Sequence, residues 1–210
     1  MTISNLKKRF ENLGENYKTA DVDRLNRALI KEGADVSCLK DVVLTKQQFH
    51  RTYFQVSMGQ MKTVAERLDF IENNFELLND WWHVDQLTQF VGKDFSFDEA
   101  YERAKGYVMH PHPFARRWGY VMFMPKLVKG DYFDEIVRLF HDDEEYYVVM
   151  AEAWLISYLG IYHPIRTLEW LKTKPLKYNI VGRGIQKICD SYQIPTETKE
   201  NFKSIRRIYK

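Results

Sequence analysis

Residues 146–162 read YYVVMAEAWLISYLGIY, and their periodicity points to the fold class. Apolar residues recur there at the spacing of one helix face, i, i+3, i+4, i+7, i+8 and i+11, at Tyr147, Met150, Ala151, Trp154, Leu155 and Tyr158. A period of about 3.6 residues predicts an amphipathic α-helix. A looser match predicts a second amphipathic helix, at Leu77, Trp81, Val84, Thr88 and Val91.

The rest of the chain also reads as helix, because no window shows the sustained two-residue alternation of a strand. All six prolines lie at or beyond Pro111, where each can start or stop a helix. Helices of ordinary length would number roughly ten to twelve. With no Gly/Ser-rich linker, residues 1–210 are predicted to form a single all-α domain.

The predicted helices are arranged in pairs. From about Phe75 onward, a helix, a turn and a second helix recur with a period of roughly 35 to 40 residues, the range of α-helical solenoids. The sequence therefore predicts an α-helical solenoid of helix pairs, curved, with one concave face lined by every second helix.

Composition excludes several classes of protein. The two cysteines, Cys38 and Cys189, form no CxxC motif, which favours a reducing compartment over a zinc or redox site. The N-terminus lacks the apolar region of a signal peptide. The longest apolar stretch, residues 146–162, contains Glu152 and is too short to span a bilayer. A cytoplasmic, monomeric protein without metal or cofactor is expected.

Charge is unevenly distributed along the chain. Residues 165–210 contain 11 Lys and Arg against 4 Asp and Glu, whereas residues 1–164 contain 20 against 25. A polyanion such as DNA would therefore meet the C-terminal part. An ordinary solvated helix face would have the same composition, so charge alone does not choose between these interpretations.

A candidate site starts from NDWWHVDQL, residues 79–87. Trp81 and Asp85 are four residues apart, so on a helix they share a face. Arg117 follows Asp85 by 32 residues, and Trp154 follows Arg117 by 37. On one concave surface these residues would supply a carboxylate for developing positive charge, a phosphate clamp and flat walls for a sugar or base. Each taken singly could also be core packing or an ordinary ion pair.

Three other motifs are set aside. His110 and His112 lie in HPHP, where the prolines predict a loop that starts a helix and not a metal site. The acidic run 142–145 is predicted to cap a helix N-terminus. The segment Gly182-Arg183-Gly184 lacks the third glycine and the strand of a phosphate loop. His83, next to two tryptophans, is interpreted as a packed or surface residue and not as a general base.

These residues together resemble the HEAT-like-repeat DNA glycosylases, the AlkD-like family of alkylation repair proteins, from about Phe75 to the C-terminus. The family's Trp-x-x-x-Asp segment corresponds to Trp81–Asp85, and its aromatic-x-x-Arg segment to residues 114–117. Its Ile/Met-Ala-x-x-Trp helix corresponds to residues 150–154. The resemblance implies HEAT-like helix pairs, Asp85 as the catalytic carboxylate and Trp81 and Trp154 as sugar and base contacts. Arg117, with its neighbour Arg116, would contact phosphate.

The resemblance further implies a partner and a reaction. Such a protein grips duplex DNA and hydrolyses the N-glycosidic bond of a cationic N3- or N7-alkylpurine. The N-terminal third departs from the family pattern, since residues 15–60 contain no proline and no Phe-hydrophobic-Gly-hydrophobic element of the kind that approaches the minor groove. A lesion that is not seated opposite Asp85 would be excised poorly.

Three hypotheses follow from these patterns. The first is a family member that keeps the base-excision residues but binds DNA weakly and excises alkylpurines poorly or not at all. The second is a fully active glycosylase in which another segment, such as Lys40–Met58, replaces the missing element. The third is a helical-repeat scaffold for a protein partner, a common role of solenoids.

Overall fold

The computed structural model describes residues 1–92 and 95–209. These residues contain α-helices and short 3-10 helices but no β-strand, which confirms the all-α prediction. The chain divides into two compact units, Met1–Phe95 and Ser96–Lys210. No helix among the described residues is long and apolar enough to cross a membrane.

The first unit is built around its third helix. Its α-helices are α1 (Ile3–Glu11), α2 (Thr19–Lys31), α3 (Gln47–Gly59), α4 (Val64–Glu72), α5 (Trp81–Asp85) and α6 (Leu87–Phe90). Two 3-10 helices, Ser37–Thr45 and Phe75–Leu77, complete it. Helix α3 packs against α2, α4, α6 and the longer 3-10 helix. Its buried residues therefore form the centre of the unit's core, with Phe54 and Val56 fully covered.

The second unit is a helical-repeat fold. Its helices are α7 (Phe97–Tyr107), α8 (Pro113–Val121), α9 (Phe133–Val137), α10 (Tyr146–Tyr162), α11 (Pro164–Lys172), α12 (Tyr178–Asp190) and α13 (Thr196–Ile208), with a 3-10 helix at Leu127–Lys129. Consecutive helices pack as pairs, α7 with α8, α10 with α11 and α12 with α13. Helices α8, α10 and α12 begin 33 and 32 residues apart, slightly less than the predicted period.

Helix α10 is the central helix of the second unit. It spans the residues whose periodicity predicted a helix, but the prediction that it is amphipathic is wrong. The reason is its position, because α8, α11 and α12 all pack against it. Most of its side chains are buried, including the acid Glu152, and a strip of mainly aromatic residues stays partly exposed.

The amphipathic helix predicted over Leu77–Val91 is also wrong in detail, because this segment is broken into α5 and α6. The Thr88 hydroxyl donates to the Asp85 carbonyl at 2.8 Å. The Gln89 N–H, which an unbroken helix would direct to that carbonyl, donates to the Gln86 carbonyl instead. Such breaks explain why the described residues contain thirteen α-helices and not ten to twelve.

Helix starts follow the local sequence closely. Pro113 and Pro164 are the first residues of α8 and α11, as expected where a missing N–H costs nothing. His110 Nδ1 accepts the His112 N–H at 3.0 Å in the turn before α8, which agrees with the helix-start interpretation. The acidic run does precede α10, but the Glu145 side chain at the N-cap makes no capping bond.

Candidate functional site

The segment that carries Trp81 and Asp85 lies on α3 in the first unit. Asp80 caps α5, its carboxylate accepting the Trp81 N–H at 2.7 Å. Trp81 is 49% exposed, whereas Asp85, one turn later on the same helix, is partly buried. Trp82 turns the other way and packs edge-on against the His50 ring, with 5.2 Å between centroids. The two adjacent tryptophans therefore have different environments.

A stacked pair of histidines supports this segment from beneath. The rings of His50 and His83 are 3.5 Å apart and inclined by only 10°, and both are buried. His50 Nε2 lies 3.1 Å from the Leu77 carbonyl, so Nε2 carries the proton. His50 Nδ1 is then the acceptor for the Gln86 amide at 2.8 Å. His83 Nδ1 accepts the Asn79 N–H at 3.2 Å.

Both rings are therefore neutral. Burial is the main cause, and it lowers the pKa of His50 to about 3, with a further lowering from His83. Burial likewise lowers the pKa of His83 to about 4, although Asp80 opposes the shift. The pair is buried and stacked, so of the two interpretations of His83, a packed or a surface residue, the structure supports the packed one.

Arg51 joins the same segment to helix α2. Its guanidinium is bidentate on Asp23, with distances of 2.6 and 2.9 Å. Remaining N–H groups donate to Gln86 and Gln89, both at 3.1 Å, and the group lies over the Phe90 ring. The side chains of Gln86 and Gln89, which follow Asp85 in the chain, are thus held by polar groups of α3, and α2 anchors Arg51 through Asp23. Sequence reasoning missed Arg51, because its partners lie 28 to 38 residues away in the chain.

In the second unit, the two predicted phosphate-binding arginines are bound within the protein. Arg117 is 4% exposed and its Nη1 donates to the Tyr147 carbonyl at 2.8 Å. Arg116 pairs with Asp143 at 2.6 and 3.3 Å and also donates to the His110 carbonyl. Both arginines thereby tie the start of helix α10 and the loop before it to helix α8.

Glu152 organises the same loop from inside the core. Its fully buried carboxylate accepts N–H bonds from His141, Asp142 and Asp143 at 3.2 to 3.4 Å. The Tyr120 hydroxyl lies 3.2 Å from it. Burial raises the pKa of Glu152 and of Tyr120. These groups bind the backbone of the loop before α10, so we assign them a structural role and not a catalytic one.

Trp154 lies in the partly exposed strip of α10. Its ring meets that of Tyr158 edge-on at 6.0 Å. Tyr146 and Tyr147, at the start of the helix, are 57% and 38% exposed. Next to them, the Arg183 guanidinium from α12 lies 5.8 Å from the centre of the Tyr146 ring. This side of the unit therefore combines open aromatic rings with an exposed cation.

A family model described as DNA alkylation repair enzyme matches residues 7–185. The chain belongs to this family. No curated protein matches the chain, and no solved structure does. The match begins within α1 and ends within α12, so it includes the N-terminal third of the chain. In that third, the sequence motifs alone showed no resemblance to the family.

The predicted site residues of this repair-family member lie in both units. Trp81 and Asp85 share helix α5 of the first unit, and Arg117 binds the backbone of the helix that carries Trp154 in the second unit. That all four line one surface remains a prediction. Among residues 1–92 and 95–209, no group of three or more His, Cys, Asp or Glu side chains could hold a metal ion.

Proposed function

We propose that this member of the DNA alkylation repair family binds alkylated duplex DNA weakly and excises cationic N3- and N7-alkylpurines poorly or not at all, with Asp85 as the carboxylate for any excision. The proposal rests on two observations, the family match over residues 7–185 and the arrangement of Trp81 and Asp85 on helix α5. There an exposed Trp81 and the carboxylate of Asp85 share one side of a helix that buried polar bonds hold.

The proposed chemistry needs little beyond an anion and a water molecule. The bond between C1′ of the sugar and the purine nitrogen breaks, and its electron pair neutralises the positive charge of the alkylated base. Water adds to C1′ and releases a proton. The sugar passes through an oxocarbenium-like state, which the Asp85 carboxylate would stabilise. One well-placed electrostatic group is typically worth about 3 to 4 kcal/mol, or several hundredfold in rate.

The aromatic rings and arginines would hold the substrate. We propose that the ring faces of Trp81 and Trp154 contact the sugar and base, and that Arg117 and Arg116 contribute to phosphate binding. Because Arg117 is 4% exposed and Arg116 is paired with Asp143, a phosphate would meet only the outer edges of these guanidiniums. Because both arginines already have partners within the protein, they support only weak binding of phosphate.

Weak binding is also supported by the N-terminal part of the chain. Residues 1–164 carry 20 Lys and Arg against 25 Asp and Glu, so their net charge repels phosphate. The segment considered as a substitute DNA contact, residues 40–58, contains most of α3, which is largely buried in the first unit. Only its first part, around Lys40 and Lys46, is exposed to solvent.

Release of N7-methylguanine from alkylated duplex DNA tests the proposal. We expect slow or undetectable release by the wild-type protein, with any release lost in Asp85→Asn. Asp80→Asn is the matched control, since it makes the same change five residues earlier and asparagine caps a helix as well as aspartate does. Rapid release that Asp85→Asn abolishes would show a fully active enzyme. Absence of any DNA binding would overturn the proposal.

A further inference from the structure

The strip of α10 that remains partly exposed is unusually aromatic. Five of its residues recur at four-residue intervals, namely Tyr146, Met150, Trp154, Tyr158 and Tyr162. Residues four apart on a helix lie one above the other, with a small rotation. Tyr146, Met150 and Trp154 therefore face one side of α10 over two turns, a rise of about 12 Å.

Arg183 reaches this strip because α12 approaches α10 closely. A Cβ atom on Gly184 would lie 2.7 Å from the Ile156 side chain and 3.1 Å from the Ala153 carbonyl oxygen, so only glycine fits there. The neighbouring Arg183 is carried to the edge of α10, where its Nη1 lies 3.6 Å from the Met150 sulfur. Its guanidinium lies 5.8 Å from the Tyr146 ring centre.

The charge of Arg183 is exposed and uncompensated. Among the carboxylates that the structure describes, none pairs with its guanidinium, whose contacts are the uncharged Met150 and Tyr146. Two other arginines of this unit differ from it. Arg116 is paired with Asp143, and Arg166 with Asp131 and Asp134. Glu144, just before α10, is paired with Lys177.

We propose that Arg183, held over the ring of Tyr146, binds a phosphodiester of the DNA strand whose sugar contacts Trp154. The guanidinium fork matches two phosphate oxygens, and the aromatic ring beneath it fixes its plane. This inference rests on the proposed function and names a contact that the motif comparison did not include. Gly182-Arg183-Gly184 is then a phosphate-binding element through its side chain and not through a glycine-rich loop.

The spacing suits a strand that runs along α10. Four helical residues, from Met150 to Trp154, rise about 6 Å. One strand of duplex DNA carries a phosphate for every 3.4 Å of its axis, roughly. A strand whose sugar meets the Trp154 ring therefore brings a phosphate one or two nucleotides away to the level of Met150, where the Arg183 guanidinium lies.

The test is DNA binding as a function of salt concentration. Fluorescence anisotropy with a labelled duplex that contains a tetrahydrofuran abasic site would be measured for the full chain and for Arg183→Gln and Arg183→Lys. We expect Arg183→Gln to weaken binding about three- to tenfold and to reduce the slope of log K against log salt by about 0.9. Arg183→Lys should keep the slope, because the charge remains. Unchanged thermal stability would show that the variants are folded.

Arg207→Gln is the matched control, since it removes the same charge from an exposed site on α13. An effect of Arg183→Gln no larger than that of Arg207→Gln would overturn the inference. A wild-type protein that does not bind the duplex would overturn both the inference and the proposed function. Binding that depends on Arg183 without release of N7-methylguanine would support the inference and show that excision is absent, because the two measurements are separate.

Discussion

The side-chain amide of Gln86 lies 2.8 Å from Nδ1 of His50 and donates a hydrogen bond to it. The other end of the same amide accepts a hydrogen bond from Arg51 at 3.1 Å. Gln86 is 5% exposed, so both bonds lie away from water. The residue that follows Asp85 in the chain is therefore tied to two side chains of α3, and the broken helix around it is held by polar bonds as well as by apolar packing.

Substitution of Gln86 should show how much these hydrogen bonds contribute to the stability of the folded protein. Gln86→Leu leaves the His50 acceptor and an Arg51 donor without their partner in a buried place, so we expect the free energy of unfolding to fall by about 2 kcal/mol. Urea denaturation measures the change. Gln89→Leu is the matched control, because Gln89 is exposed and accepts one bond from the same arginine. Equal losses in the two variants would contradict this account.

The stacked histidines should make the protein sensitive to acid. The folded-state pKa values of His50 and His83 are lowered to about 3 and about 4, whereas the unfolded value is about 6.5. The unfolded chain therefore binds more protons between these limits. The stabilisation is fully present above about pH 6.5 and is lost progressively as the pH falls toward 4. At pH 5, each ring should lower the free energy of unfolding by roughly 2 kcal/mol relative to its value above pH 6.5.

Unfolding measured between pH 5 and pH 7 tests this sensitivity. In His50→Gln the slope of unfolding free energy against pH should fall by about one proton, whatever the absolute stability of the variant. His83→Gln should do the same. A slope that neither substitution alters would show that the pair does not control the acid sensitivity.

The adjacent tryptophans should respond differently to the same truncation. Trp82→Ala removes a ring that packs against His50 and should lower the free energy of unfolding by about 2 to 3 kcal/mol. Trp81→Ala removes a ring that is 49% exposed, so stability should change by less than about 1 kcal/mol while DNA binding weakens. Thermal unfolding and anisotropy distinguish the two. Loss of stability in Trp81→Ala would contradict its role as an open contact surface.

Two glycines on different helices should respond with opposite signs to alanine. Gly184→Ala forces a methyl group against Ile156 and the Ala153 carbonyl, which should cost about 1 to 3 kcal/mol. Gly106→Ala in α7 meets no atom within 4 Å and should stabilise the protein by roughly 0.5 to 1 kcal/mol. Melting temperatures report both changes. Stabilisation by Gly184→Ala would show that α12 does not approach α10 as closely as described.

Helix formation was largely predictable from the amino-acid order. Periodicity identified α10 at residues 146–162, and prolines marked the first residues of α8 and α11. These signals succeed because they are local, within one or two turns of chain. The break in the helix around Gln86 was not predicted. It depends on a hydrogen bond from the Thr88 hydroxyl to the Asp85 carbonyl, and the sequence also permits Thr88 side-chain conformations that do not make this bond.

The candidate site was predictable in part. Trp81 and Asp85 could be placed on one helix face, because their spacing alone decides it. Burial of Arg117 and pairing of Arg116 could not be predicted, since Asp143 lies 27 residues from its arginine and many acids were possible partners. The segment Gly182-Arg183-Gly184 lacks the third glycine and the strand of a phosphate loop, and the sequence made no prediction about the Arg183 side chain. Its position beside Tyr146 depends on how closely two helices pack.

The amino-acid order by itself determined that the chain is helical, where most helices begin, and which residue types stand one turn apart, because these properties depend on neighbours within a few positions. Only the tertiary structure decided which side of each helix meets solvent and which charges are compensated. Those outcomes depend on atoms brought together from chain positions about 30 residues apart, as with Arg51 and Gln86 or Arg183 and Met150, whose separations are 35 and 33. Burial and pairing are properties of the packed chain, so local patterns carry no record of them.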